Sequence, residues 1–212
     1  MDEHLLRFDK KKSFVFIDCE TLNLCLSNIN NLPWQIAMIS VKGDFKQNEK
    51  NYYLRWNSDL KISDDAARIT RYSQLTVDRL GLPPKDVFPT IKDWLGKCDY
   101  IVGHNILNFD IYLLKDLYEL MGEDYTPIVN KIIDTNALAR GIKYSIPFKP
   151  KMNLLEYQYK MNHTIRKGVK TNLTDLGKEY GIEHDYDNLH DAIVDLELNL
   201  KVWNKIKWQV EI

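Results

Sequence analysis

Apolar positions along the chain fall into a few short runs and two long helical stripes. Phe14 to Ile17 is an unbroken apolar run, rich in aromatic and β-branched residues, and predicts a strand buried on both faces. Gln35 to Val41 has strand composition, Gly43 and Asp44 read as a turn, and Tyr52 to Trp56 reads as the next strand, which together predict an antiparallel meander. Ile62 to Leu80 carries scattered apolar positions and predicts two short helices, with Ser63 ahead of Asp64 and Asp65 as a cap. Asp86 to Leu95 predicts a helix closed by Gly96, and Tyr100 to Val102 another short strand. The first long stripe is Asp110, Leu113, Leu114, Leu117 and Met121, at helical spacing with a carboxylate at its head. Lys131 to Ile133 leads into a helix at Asn136 to Arg140. Asn153 to Met161 and Asn172 to Tyr180 read as helices, the second stopped by Gly181. The second long stripe runs from about His190 to Lys207. There Ile193, Leu196, Leu200 and Trp203 form one apolar line, and Asp195, Leu198 and Val202 a second.

Composition narrows the class without changing this outline. A chain of 212 residues is long enough for one domain with a sizeable core, here taken as 1–212 with an N-terminal extension at 1–12. No apolar run is long enough to span a bilayer, and the N-terminus lacks the layout of a secretory signal. Cys19, Cys25 and Cys98 have no paired spacing and read as reduced thiols, so the expected location is cytoplasmic. A net charge of −1 gives no global basic footprint, which argues against passive coating of nucleic acid. The local exception is 141–170, an irregular insertion. Lys143, Lys149, Lys151, Lys160, Arg166, Lys167 and Lys170 there face the single acid Glu156. It is read either as a solvated insertion or as a surface that guides a strand by its phosphates. Trp208 and the final Gln-Val-Glu-Ile form an apolar tail that docks either on this domain or on a partner.

The chemistry starts at the end of the first run, where Asp18 and Glu20 stand one residue apart. On a strand they share a face. Two like charges at the lip of a core are unfavourable without a cation, and a metal ion is the simplest compensation. Asp110 heads its apolar stripe and so faces inward, although a helix-dipole or capping role is the ordinary reading of a carboxylate there taken alone. Asp195 lies on an inward line of the last helix. His190 is five residues earlier, about 140° away on an ideal helix, and converges with Asp195 only if it lies at or before the helix start.

Taken together, Phe16-Ile-Asp-Cys-Glu-Thr21, Gly103-His-Asn-Ile-Leu-Asn-Phe-Asp110 and His190-Asp-Ala-Ile-Val-Asp195 resemble the three motifs of the DnaQ-like 3′–5′ exonucleases. The histidine form of the last motif resembles the DEDDh branch. Ile133-Asp-Thr135 and the stretch Leu173 to Ile182 resemble the family's intervening elements. The resemblance implies an α/β fold, a ribonuclease H-like mixed sheet flanked by helices. It implies that Asp18, Glu20, Asp110 and Asp195 hold two Mg²⁺ or Mn²⁺ ions, one activating water and the other stabilising the leaving 3′ oxygen. It makes His190 the general base, releases nucleoside 5′-monophosphates, and makes single-stranded DNA or RNA 3′ ends the substrate. A DNA polymerase or another replication or repair protein is the partner class it suggests. His104, Asn105 and Phe109 are candidates for contacts around the nucleotide. Thr21-Leu-Asn23 departs from the family's usual Thr-Gly, and the second motif has one residue more than most DEDDh members between Asn105 and Asp110. An inactive fold used as a binding module is the reading outside the enzyme class; all five residues such a fold would have lost are present.

Overall fold

In the computed structural model, which describes residues 4–25, 31–57 and 60–212, the first apolar run becomes the middle strand of the sheet. This strand is β1 (Ser13–Thr21), flanked by β2 (Pro33–Lys42) and β4 (Tyr100–Gly103). β3 (Phe45–Tyr53) and β5 (Ile132–Asp134) are the edges, giving the order β3-β2-β1-β4-β5. The first three strands form an antiparallel meander, and β4 and β5 add in parallel. Nine helices accompany the sheet among the described residues. They are α1 (Asp64–Ile69), α2 (Gln74–Leu80), α3 (Pro84–Lys97), α4 (Asp110–Leu120), α5 (Thr126–Val129), α6 (Thr135–Lys143), α7 (Leu154–Asn162), α8 (Leu173–Glu179) and α9 (Ala192–Ile206). The fold is α/β with a mixed sheet, as the sequence led us to expect.

Period-two alternation on β1 divides the core. Phe14 and Phe16 face a cluster built with α6, α8 and α9. Val15, Ile17 and Cys19 face the opposite cluster, built with α3 and α4. Phe16 and Ile17 have no exposed surface, and burial of such side chains contributes roughly 1.5–3 kcal/mol each. The same alternation places Asp18 and Glu20 on the α9 side of the sheet.

Three expected boundaries shift. The third strand is Phe45–Tyr53 rather than Tyr52 to Trp56, because the turn at Gly43 reverses the chain at once and Lys42 pairs with Phe45. Most of that strand is exposed, so an edge strand here carries no apolar signal. The third helix starts at Pro84, where a missing N–H costs nothing, and continues through Gly96 to Lys97. The last helix starts at Ala192, two residues after His190.

Residues near both ends of the described chain, and part of the 141–170 stretch, join the core. Leu5, Leu6 and Val210 are buried, and Leu6 N–H donates to the Ile212 carbonyl at 2.7 Å. Glu211 N–H donates to the Phe148 carbonyl at 3.2 Å, so the C-terminal tail docks on this domain. Tyr144, Phe148, Tyr157 and Met161 belong to the α9-side cluster. The fully buried Gln158 amide also acts as a surrogate strand for the β5 edge. Its Oε1 accepts from Asp134 N–H at 2.6 Å and its Nε2 donates to the Ile132 carbonyl at 3.0 Å. Among the described residues no helix is long and apolar enough to cross a membrane.

Candidate active site

Three elements converge at the carboxyl end of β1. Asp18 and Glu20 point from the strand toward α9, and Asp195, in the first turn of α9, meets them. One carboxylate oxygen from each of Asp18, Glu20 and Asp195 lies within 4.8 Å of the others. Asp110, the first residue of α4, arrives from the opposite helical layer and is 4 % exposed. Its Oδ1 accepts the Cys19 N–H at 3.0 Å, which fixes the head of α4 against the strand between the two other acids. Asp110 stands outside the 4.8 Å group, but its charge acts on Asp18 and Glu20.

The electrostatics are those of acids crowded together at the edge of a core. Burial first, then the charges of Asp110, Asp195 and Glu20, pushes Asp18 well above the usual carboxylate range. Burial and the charge of Asp195 lift Glu20 to about 9. Burial lifts Asp110 to about 7 against the pull of the Cys19 N–H. Asp195 rises to about 6, again chiefly by burial, offset by the His190 N–H. Protons or a multivalent cation would relieve this repulsion, and an all-carboxylate donor set suits a hard divalent ion.

His190 stands ahead of α9, as convergence required. Its φ of +70° turns the chain, and its N–H lies 3.3 Å from both carboxylate oxygens of Asp195. The residue is exposed. Asp191 caps α9 by accepting the Ile193 N–H at 3.2 Å, and it also accepts from Gln35 Nε2 at 3.1 Å. Gln35 lies opposite Glu20 on β2, so the strand register ties the head of α9 to the acidic pair.

Sequence reasoning missed the residue that shapes the turn before Asp110. Asp134 ends β5, is fully buried, and caps α6. Its Oδ1 accepts from Asn105 N (2.9 Å), Asn136 N (3.0 Å) and Ala137 N (3.3 Å). Its Oδ2 accepts from Leu107 N (3.2 Å) and Asn162 Nδ2 (2.9 Å). Asn105 adopts φ +64°, and its side-chain oxygen accepts from Asn108 and Asn136. Gly103 precedes this turn, and a Cβ there would lie 2.7 Å from the Ile106 Cβ, so only glycine fits without a shift. The available signal was an aspartate between an apolar run and a helix, the usual cap position.

The other named candidates divide. His104 is half-buried, with Nδ1 2.9 Å from the Thr135 hydroxyl and burial lowering its pKa to about 4, so it is built into the β4–α6 junction as a neutral imidazole. Phe109 packs at the rim of the α4-side cluster. Thr21 is buried, and its hydroxyl donates to the Asn23 carbonyl at 2.9 Å, while Leu22 joins Leu32, Trp34 and Val77 in a small cluster beside the cleft.

Comparison with known proteins adds a family. A search of curated proteins found no match. Among solved structures the chain is similar to exonuclease I, in a structure that suggests how processivity is achieved, with a TM-score of 0.75 and 19% identity over 94% of this chain and 41% of that one. It is similar to E. coli exonuclease I in complex with a dT13 oligonucleotide (0.73, 20%, 94% and 42%), and to the zinc-bound form of its single-stranded DNA complex (0.75, 19%, 94% and 41%). The chain thus spans about two fifths of the exonuclease I chains it matches, and at this identity the likeness is one of fold. The model of the RNase T exonuclease family matches residues 15–203, which take in Asp18, Glu20, Asp110 and Asp195, and the chain belongs to that family, in the DnaQ-like group of ribonuclease H-like folds.

Proposed function

We propose that the chain is a divalent-metal-dependent 3′–5′ exonuclease that removes nucleoside 5′-monophosphates from single-stranded DNA ends. The observation that carries this is the meeting of Asp18, Glu20 and Asp195 within 4.8 Å, with Asp110 braced beside them. Asp18, Glu20, Asp110 and Asp195 would hold Mg²⁺, or Mn²⁺ in its place. Bound there, such ions supply charge stabilisation at the scissile phosphate and lower the pKa of a water.

The chain's own residues do the rest. His190 supplies an imidazole that takes the proton of the attacking water. Asp195 serves twice, as a ligand and as the acceptor that holds the His190 backbone. Cys19 N–H and the Asp134 cage hold Asp110 in place. The choice of single-stranded DNA is supported by the dT13 and dA16 complexes of E. coli exonuclease I, which shares the fold. The basic stretch 141–170 is assigned to guiding the strand. Asn162, at the end of α7, reaches Asp134 at the same end of the sheet as the acids, and Arg166 stacks over the Tyr144 ring at 4.5 Å.

The test is incubation with 5′-labelled single-stranded DNA, duplex DNA and RNA, with Mg²⁺ or with chelator. A Mg²⁺-dependent ladder shortening from the 3′ end of single-stranded DNA is expected, abolished by Asp18→Ala. Equal or faster shortening of RNA would replace the DNA assignment with an RNA one. A ladder that survives chelator or Asp18→Ala would overturn the site assignment.

A further inference from the structure

Beside the acidic group lies a cleft of about 350 Å³, lined among others by Trp34, Gln35, Tyr53, Arg71, His190 and Asp191. Arg71 is the cation in that set, and it comes from the turn between α1 and α2, far from α9 in sequence. It holds a left-handed backbone, φ +51°, unusual for a residue with a side chain. Its Nη1 donates to Asn188 Oδ1 at 3.1 Å, and its Nη2 donates to the Asp187 carbonyl. The guanidinium therefore crosses the cleft and grips the short helical turn Tyr186–Asn188, which Leu189 joins to His190.

This grip meets a specific need. His190 is exposed, and among the described residues no hydrogen bond to its ring is found, so its position follows from its backbone. Downstream the backbone is fixed by Asp191, held by Gln35 and the α9 N-terminus. Leu189 is buried. Upstream, Asp185, Asp187 and Asn188 are exposed and depend on polar contacts. Tyr186, half-buried against the α9-side cluster, anchors the start of the turn through its hydroxyl on the Ile182 carbonyl at 2.8 Å; Asn188 Nδ2 donates to Asp185 Oδ2 at 2.6 Å within the turn, and Arg71 anchors its far end from outside. A planar fork reaching two acceptors fixes direction as well as distance, which a lysine point charge does not.

We infer that Arg71 is a positioning residue for His190: its guanidinium clamps the Asp187–Asn188 turn and so sets the place of the imidazole at the cleft. The inference rests on the exonuclease reading for its kinetic consequence, but the clamp is measurable without turnover. Arg71 is exposed, so its replacement removes no core packing.

Arg71→Ala, Arg71→Lys and the unaltered protein are compared by two measurements. In steady-state cleavage of a single-stranded oligonucleotide with Mg²⁺, Arg71→Ala is expected to lower kcat about 10- to 100-fold while KM stays within about twofold, because a displaced base costs rate and not binding. Arg71→Lys should recover only part, and added guanidinium ion should restore part of the alanine variant's rate. In the metal-free protein, amide hydrogen exchange at residues 187–190 is expected to quicken at least about tenfold in Arg71→Ala, with α9 beyond Leu196 unchanged. A raised KM with kcat intact and a shallower salt dependence would make Arg71 a phosphate ligand and overturn the inference. Unchanged exchange at 187–190 would overturn it as well, whatever the kinetics. Quickened exchange in a protein with no nuclease activity at all would leave the clamp standing and sink the exonuclease reading instead.

Discussion

Replacing Asp134 separates the scaffold of the site from its chemistry. The carboxylate collects five donors, three on Oδ1 and two on Oδ2. Asp134→Ala removes a helix cap, worth about 1 kcal/mol. It also leaves the Asn105 and Leu107 N–H groups in a dry turn without acceptors, at about 1–3 kcal/mol each. We expect a loss of about 3–5 kcal/mol, a large part of the stability of an ordinary domain. Asp134→Asn should cost less. An amide oxygen in the Oδ1 place keeps the three donors there, and the new NH₂ faces Leu107 N and Asn162. Asn162 can turn its amide to accept, since its own Oδ1 has no hydrogen-bond partner. Leu107 N–H and the turned Asn162 NH₂ are then stranded, as both also are in the alanine variant, while the cap and the Asn105 N–H bond are kept. Urea unfolding followed by fluorescence reads both values. With a slope of about 2–3 kcal/mol per molar, the alanine variant should unfold at least about 1 M earlier than the parent. An alanine variant within about 0.5 kcal/mol of the parent, or an asparagine variant no better than alanine, would refute the account of the cage.

Three further expectations follow from the site and its surroundings. Mg²⁺ should raise the melting temperature of the unaltered protein, by more at pH 8 than at pH 5 because protons compete for the same carboxylates, and Glu20→Gln should remove most of that rise in a thermal-shift assay. Neutralising Arg166, Lys167 and Lys170 together should weaken binding of long single strands and lower the slope of log K against log salt by up to about 2, read by fluorescence anisotropy; an unaltered slope would leave that segment a plain surface. Asp99 is held near 2 by the Ser13 N–H, then by the Ser13 hydroxyl and Lys12, so its stabilisation is present above about pH 4 and is lost as pH falls through 2. Because Asp99 is more than a third exposed, Asp99→Asn should cost less than about 1 kcal/mol at pH 7 and nothing below pH 2, measured by denaturant titration.

What the sequence disclosed was whatever rests on local periodicity. Phe14 to Ile17 announced the middle strand, and alternation alone put Asp18 and Glu20 on one face. The stripes on α4 and α9 told which way Asp110 and Asp195 look, and the offset of five forced His190 off the helix. What stayed hidden depends on pairing at a distance. β3 is polar because its outer face meets water, so its start had to come from the register with β2. Gly96 looked like a stop, yet with no left-handed residue demanded there, the helix simply continues. Asp134 and Arg71 act through partners far along the chain, Asn162 and Asn188, and no spacing within a window can show that. The role of 141–170 was half legible. Its charge was plain, but the burial of Phe148, Tyr157 and Gln158 beneath it needed the fold.

The last helix has a consequence in time. α9 follows the other described helices and brings Asp195 to acids that lie on the first strand. A ribosome-bound chain that has already paired β1 with β2 and β4 still lacks the third corner of the acidic group, and it lacks a docked His190. The acidic group is therefore complete only after the other described elements exist. The acidic group, placed where two distant parts of the chain close on each other, also serves as a check that the intervening chain was made and folded.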